Sequence, residues 1–272
     1  MEIPSFKIPT IVTVHHLGHL FDKNVGVLKK IKLGSQKRLV KRRLTKAKVI
    51  VTVSKATKDD IVRLGIDGSK VHVLYEGVEL EEFDIDNARK NKNKLFTITA
   101  PSRISSEKGQ HILIDAFNRL PGEIKDRCKL IIVGYVFDTK YYSKLKKLAA
   151  HPNIEIITDV PKIQKYYETA DLIAFPTLMH EGFGRVSIEG LACEKPVVAS
   201  NFPAVCEVLK DYGVIVKPND AMELKNAILK IYSNLDKYKK LAKEGRKYVL
   251  ANYSWDKVLK RYNQLYQDCL DS

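Results

Sequence analysis

No stretch of 18 uncharged apolar residues occurs in the chain, which excludes a membrane-spanning helix of ordinary length. Cysteine is scarce: Cys128, Cys193, Cys206 and Cys269 are scattered, with no Cys-x-x-Cys pair. That spacing fits neither a zinc knuckle nor a disulfide framework, so we expect free thiols in a reducing cytosol. Met1 to Thr10 lacks the charged-then-apolar order of a secretory signal. There is no internal repeat and no low-complexity tract that would argue for wholesale disorder. Acidic residues are missing from one long window, since none stands between Lys23 and Lys58.

What is present is 272 residues, 44% of them hydrophobic, enough for one large domain or two small ones with a buried core. The net charge is +15, and the window without acids concentrates it. Lys29, Lys30, Lys32, Lys37, Arg38, Lys41, Arg42, Arg43, Lys46 and Lys48 are interleaved there with Leu28, Ile31, Leu39, Val40 and Leu44. Part of this stretch reads as a basic amphipathic helix. Such a face attracts anionic lipid, nucleic acid or phosphorylated substrates; a solvated lysine-rich face is the plainer alternative.

The order of elements sets the fold class. Ile8 to Val14 and Val49 to Val53 are short β-branched runs. Ser54 is placed to cap a helix that closes near Gly65, and Val71 to Tyr75 reads as another strand. Glu79 to Lys94 is charged and rich in Asp and Asn, as expected of a linker. Strands are then predicted at Phe96 to Ala100, Lys129 to Val133, Ile154 to Ile157, Leu172 to Phe175, Pro196 to Ser200 and Gly213 to Val216. Helices fit between them near 108–120, 139–150, 162–170, 184–194 and 203–210, and three helical stretches close the chain from Ala221 to Asp271. Apolar strands alternating with helices predict an α/β protein: a doubly wound parallel sheet preceded by a smaller, incomplete α/β unit. The expected boundaries are 1–80 for a partial first domain, 81–94 for the linker and 95–272 for the second domain. The last helix would be free to pack back on the first.

Ligands of such sheets lie outside the carboxyl ends of the strands. The loop after the first strand of the second domain, Pro101 to Gly109, carries Arg103 and Lys108 beside a helix N-terminus. Two cations with free helix N–H groups suit a diphosphate; two ordinary surface cations are the alternative. A second loop runs from His180 to Gly190, after the strand DLIAFP. Gly182 and Gly184 let backbone N–H groups approach a ligand. Glu181 and Glu189 are placed to project toward one cleft, where carboxylates suit sugar and ribose hydroxyls. A helix-entry carboxylate and a surface glutamate would explain them equally. His15, His16 and His19 are too closely spaced on a strand to converge readily on a metal. Asp84-Ile85-Asp86 imitates an Asp-x-Asp metal motif, but it stands in the expected linker and reads as a polar connector.

Glu181-x7-Glu189 with its embedded Gly-Phe-Gly, continued by GLACEKPVVAS, resembles the signature of family 4 of the GT-B glycosyltransferases, the large group 1 retaining family. Further landmarks follow in order: Val53-Ser54, Glu76-Gly77-Val78, Arg103-x4-Lys108, ADLIAFPT, Glu207 and Gly213 to Asp220. The resemblance implies a GT-B-like architecture, with a complete C-terminal Rossmann-like domain behind a partial N-terminal one. It implies transfer of a hexose from a UDP- or GDP-linked donor to an acceptor hydroxyl with retention, without a metal or a separate cofactor. Arg103 and Lys108 would hold the diphosphate. Glu189 would take the ribose hydroxyls, and Glu181 the C3 and C4 hydroxyls of the sugar. Gly182, Phe183, Gly184, Arg185 and Val186 would line sugar and phosphate. His15, with His16 as the less favoured neighbour, would face the donor sugar.

The pattern departs from the family in three places. Compared with a first domain of normal size, the resemblance leads us to expect roughly eighty to a hundred residues fewer at the front. Gly190 and Glu194 stand where the family usually has a small residue and a glycine, and Pro203-Ala204 replaces the glycine pair before Glu207. The short first domain raises a second reading, a nucleotide-sugar-binding subunit completed by a partner chain or a second copy. The basic window raises a third, a membrane- or nucleic-acid-associated protein on the same fold, although no aromatic interleaving supports nucleic acid. A cytoplasmic protein touching anionic membrane through Lys29 to Lys48 would join the first and third readings.

Overall fold

In the computed structural model, residues 10–21, 27–83 and 95–271 are described; Asp84-Ile85-Asp86 and most of the expected linker lie outside them. They form two compact units. The first draws on Met1–Gly77, His180–Phe183 and Trp255–Ser272, the second on Val78–Met179 and Gly184–Ser254.

The first unit is built on three parallel strands in the order β1 (Ile11–Val14), β2 (Val49–Thr52) and β3 (Val71–Val73). They begin and end within a few residues of the predicted runs, because the β-branched residues that signal them are the ones buried: Ile50 and Val51 are fully enclosed. Helix α1 (Val27–Leu44) precedes β2, and α2 (Lys55–Arg63) follows it. Ser54 caps α2 as expected, in extended conformation and accepting from the Thr57 N–H. Gly65, with a φ of 80°, ends that segment in the left-handed region. The apolar residues of α1 divide between faces. Leu33 and Leu44 join the core with Val40 against them, whereas Ile31 and Leu39 are exposed among Lys32, Arg38, Lys41 and Arg42. Among the described side chains, the outward surface of α1 is therefore basic with two apolar residues, rather than cleanly divided into one apolar and one charged side. No helix among the described residues is long and apolar enough to cross a membrane.

The second unit carries six parallel strands: β4 (Phe96–Pro101), β5 (Cys128–Val133), β6 (Ile154–Ile157), β7 (Leu172–Phe175), β8 (Val197–Ser200) and β9 (Val214–Val216). Their order is β6-β5-β4-β7-β8-β9, all neighbours parallel. The chain winds outward from β4 to β6, then returns to the other side of β4 as β7. The switch point lies between β4 and β7. Every residue of β4, β7 and β8 is buried, as a sheet covered on both faces requires.

The covering helices are α3 (Gln110–Asn118), α4 (Gly122–Lys125), α5 (Thr139–Leu148), α6 (Gln164–Glu168), α7 (Arg185–Ala192), α8 (Pro203–Leu209), α9 (Ala221–Ser233) and α10 (Leu235–Tyr253). They run shorter than the sequence suggests, since several predicted ends are turns rather than helix. Asp138 and Asp220 cap α5 and α9 by accepting from N–H groups three residues on. The last helix, α11 (Trp255–Asp271), belongs to the first unit.

Two of the sequence departures acquire a physical meaning. Glu194, just past α7, has a φ of 55°, the left-handed conformation that a glycine takes without cost. At Gly190 an added Cβ would stand 2.8 Å from Val197 Cγ2 and 3.3 Å from Ile173 Cγ1. Only a residue without a side chain lets α7 lie that close to β7 and β8. The four cysteines are free thiols, with Cys128, Cys193 and Cys269 buried; burial pushes the Cys128 thiol up to about 11.

Candidate functional site

In the second unit, Arg103 and Lys108 stand in the loop after β4, and α7 begins after β7. The two segments flank the switch point. They are locked together through backbone. Gly109 adopts a φ of 68°, and a Cβ there would meet the Pro176 carbonyl oxygen at 2.0 Å. The Leu178 N–H donates to the Glu107 carbonyl at 2.7 Å, and Thr177 Oγ1 donates to the same oxygen at 3.3 Å. On the other side, the loop after β5 closes on the loop after β4. Gly134 (φ 155°) has space for no side chain, with the Ser102 carbonyl oxygen 2.1 Å from a Cβ position, and Ile104 bridges to Val136.

Arg103 donates from Nη2 to Glu107 Oε2 at 2.9 Å, and its guanidinium lies 4.8 Å from the Phe137 ring centre. The Lys108 ammonium is 5.5 Å from the Phe175 ring centre. Glu107 and Phe137 escaped the sequence reading. Glu107 was legible as an i, i+4 partner of Arg103; Phe137 comes from another strand's loop and left no local signal.

Some buried side-chain atoms have no hydrogen-bond partner among the described residues. In the second unit these are Thr99 Oγ1, Arg103 Nε, Ser105 Oγ, Gln110 Oε1 and Ser187 Oγ. Buried polar atoms are ordinarily satisfied. Here the exceptions fall in β4, in its loop and at the start of the next helix, and in the first turn of α7.

Gly184 is the N-cap of α7 with a φ of 95°, and a Cβ there would stand 3.4 Å from Val205 Cγ2. Arg185 and Val186 open the helix, with Arg185 exposed. Glu189 lies on the second turn and is held on both oxygens. Tyr167 Oη donates to Oε2 at 2.5 Å, and Arg185 Nε donates to Oε1 at 3.1 Å. Tyr167, on α6, is the principal residue that the sequence did not reveal. Burial, then the Glu189 charge, drives its phenol well above the ordinary tyrosine range.

The remaining candidates fall in the first unit. His15 follows β1, and its Nδ1 lies 3.2 Å from Glu76 Oε1, with the histidine side chain 68% exposed. The segment His180–Phe183 packs against this end of the sheet. A Cβ on Gly182 would stand 1.9 Å from the His15 carbonyl oxygen, and one on Gly18 would stand 2.4 Å from His180 Cβ. Phe183 is buried and stacked on Tyr75 at 6.0 Å, while Glu181 is half-buried. Asp60 on α2 has its carboxyl raised by burial, with Arg63 and His180 opposing that shift. Among the described residues no three His, Cys, Asp or Glu side chains converge.

The chain belongs to the glycosyl transferases group 1 family, whose model matches residues 81–248; a second model, Glycosyltransferase Family 4, matches residues 3–82. It is 27% identical over 277 residues to an uncharacterised glycosyltransferase of Methanocaldococcus jannaschii, covering 96% of this chain and 69% of that protein. It is 31% identical over 210 residues to a probable sucrose-phosphate synthase of Thermosipho melanesiensis, covering 72% of this chain and 47% of that one. The chain thus spans about half to two thirds of these relatives. Among solved structures, Anabaena HepE in complex with UDP and glucose superposes with a TM-score of 0.81 at 21% identity, over 95% of this chain and 71% of that one. The expected fold class holds: two α/β units on parallel sheets, the larger one C-terminal, of the GT-B kind.

Proposed function

We propose that this chain carries the donor side of a retaining hexosyltransferase that uses a UDP- or GDP-sugar. The observation that carries the reading is the switch point of the six-stranded sheet. There Arg103 and Lys108 stand in the loop after β4 and the N-terminus of α7 follows β7, and buried side-chain atoms without a partner fall in β4, in its loop, at the start of α3 and in the first turn of α7. Cations and helix N–H groups at the carboxyl ends of parallel strands suit a diphosphate.

In this reading Arg103 and Lys108 bind the diphosphate and offset its charge as the bond from the anomeric carbon to the β-phosphate oxygen breaks. That compensation needs no metal. Arg103 has donors to spare beyond the one given to Glu107. Glu189 accepts from the ribose hydroxyls, and Glu181 from the C3 and C4 hydroxyls of the hexose. The Gly182 to Val186 backbone lines sugar and phosphate, and His15 serves the sugar. The acceptor hydroxyl attacks on the face that the phosphate leaves. Its proton passes to the departing phosphate oxygen, and the anomeric configuration is kept.

Calorimetry of UDP, GDP and their hexose conjugates against the purified chain tests the proposal, with Arg103→Ala and Glu189→Ala as controls. Binding of one nucleotide class that both substitutions weaken supports it and names the base. Binding that neither substitution changes removes the donor site from these residues.

A further inference from the structure

Glu189 is held more elaborately than a lone ribose ligand requires. A carboxylate offers about four lone-pair sites, and two are already used, one on each oxygen: Oε2 by the Tyr167 phenol at 2.5 Å and Oε1 by Arg185 Nε at 3.1 Å. The two donors come from different elements, α6 and the first turn of α7. A carboxylate gripped at both ends cannot rotate freely about its side-chain torsions, and its two remaining sites face a fixed direction. A pair of adjacent hydroxyls supplies two donors at the spacing of the two carboxylate oxygens, which is what the 2′ and 3′ positions of a ribose present.

Tyr167 is itself immobilised. Its side chain is 1% exposed, and its ring meets Phe83 edge-on at 5.7 Å and 81°. Its phenol stays a donor throughout the neutral range, because burial and the adjacent carboxylate both oppose its ionisation. Arg185, by contrast, is about half exposed, so its side of the grip is open to solvent and exchanges more readily.

We infer that Tyr167, with Arg185, is a positioning residue that fixes the Glu189 carboxylate for a vicinal diol and so makes the chain select ribonucleoside over 2′-deoxyribonucleoside diphosphates. The inference rests on the donor-site reading. It adds the origin of sugar-backbone selectivity, which a recognition carboxylate alone does not explain. Sites built to bond a hydroxyl reject the analogue lacking it because the site's own polar group is then left unpaired. That rejection is strong only when the polar group cannot swing away to another partner.

The test compares binding of UDP or GDP, whichever the chain takes, with that of its 2′-deoxy counterpart in wild type, Tyr167→Phe and Glu189→Gln. Melting temperature is followed in parallel. Tyr167→Phe keeps the ring and its packing on Phe83 and removes one oxygen. Wild type is expected to prefer the ribonucleotide by about tenfold or more. In Tyr167→Phe the affinity for the deoxy form is expected to hold while the preference shrinks to about threefold or less. Glu189→Gln is expected to lose the preference as well. If Glu189→Gln abolishes the preference and Tyr167→Phe preserves it, the positioning role is overturned and the donor site stands. A Tyr167→Phe protein that melts earlier and loses both ligands in equal proportion also overturns it, since the phenol then serves the fold. A wild type that binds neither nucleotide overturns the donor reading and this inference together, and one that binds both forms alike overturns this inference and the ribose role of Glu189 while the diphosphate site stands.

Discussion

Glu189 and Arg103 in the second unit are held by the fold around them, while His15 in the first unit is more openly placed. Glu189 has a donor on each oxygen. Arg103 is braced by Glu107 and Phe137, and the loop that carries it is closed on two neighbouring loops through Gly109 and Gly134. In the first unit His15 is largely exposed and pairs with Glu76 across 3.2 Å. There the tight fit is in the backbone at Gly182 and not in the imidazole. Fixed donors aimed at a charged group need no reorganisation when it arrives, whereas an exposed imidazole can adjust its position.

That contrast can be broken in several ways. Gly109→Ala has the largest expected effect. Its Cβ would overlap the Pro176 carbonyl in a left-handed conformation, and the loss should be about 2–4 kcal/mol, read by chemical or thermal denaturation. A protein that tolerates it would show that the loops after β4 and β7 are not locked. Arg103→Ala should weaken UDP or GDP binding about tenfold to a hundredfold by calorimetry, the range for charge-assisted hydrogen bonds of about 1.5–3 kcal/mol. Glu194→Gly relieves a positive φ, partly offset by the greater entropy that a glycine gives the unfolded chain, and a net gain of about 0.5–1 kcal/mol is expected in a denaturant titration. His15→Ala should be the mildest. Its exposed pair with Glu76 is worth about 0–1 kcal/mol, and nucleotide affinity should move by less than about twofold. A large loss of nucleotide affinity in His15→Ala would place the first unit among the fixed elements and erase the comparison.

Much of the architecture was readable because it rests on local, periodic signals. Ser54 announced the start of α2, and the apolar runs at β4, β5 and β7 announced a sheet buried on both faces. Arg103-x4-Lys108 and the glycines around Phe183 marked the two loops. What stayed hidden depends on chain segments that are distant in sequence. Tyr167 stands 22 residues before Glu189, and nothing in its neighbourhood names its partner. The positive φ of Glu194 contradicts its residue type, so only the unusual replacement of a glycine hinted at it. Helix α1 was readable as basic, but the exposure of Ile31 and Leu39 follows from which face meets β1 and β2. Composition does not encode that choice.

The chain's one tryptophan opens α11. Its ring fills the space beside Gly77, where a Cβ would stand 2.4 Å from Trp255 Cδ2, and its indole N–H is buried. The helix it begins is the last segment to rejoin the first unit, and Gly77 closes that unit's N-terminal segment. Excited selectively over the tyrosines, this single fluorophore therefore works as an internal gauge. Its emission colour reports whether the carboxyl-terminal helix is seated beside Gly77.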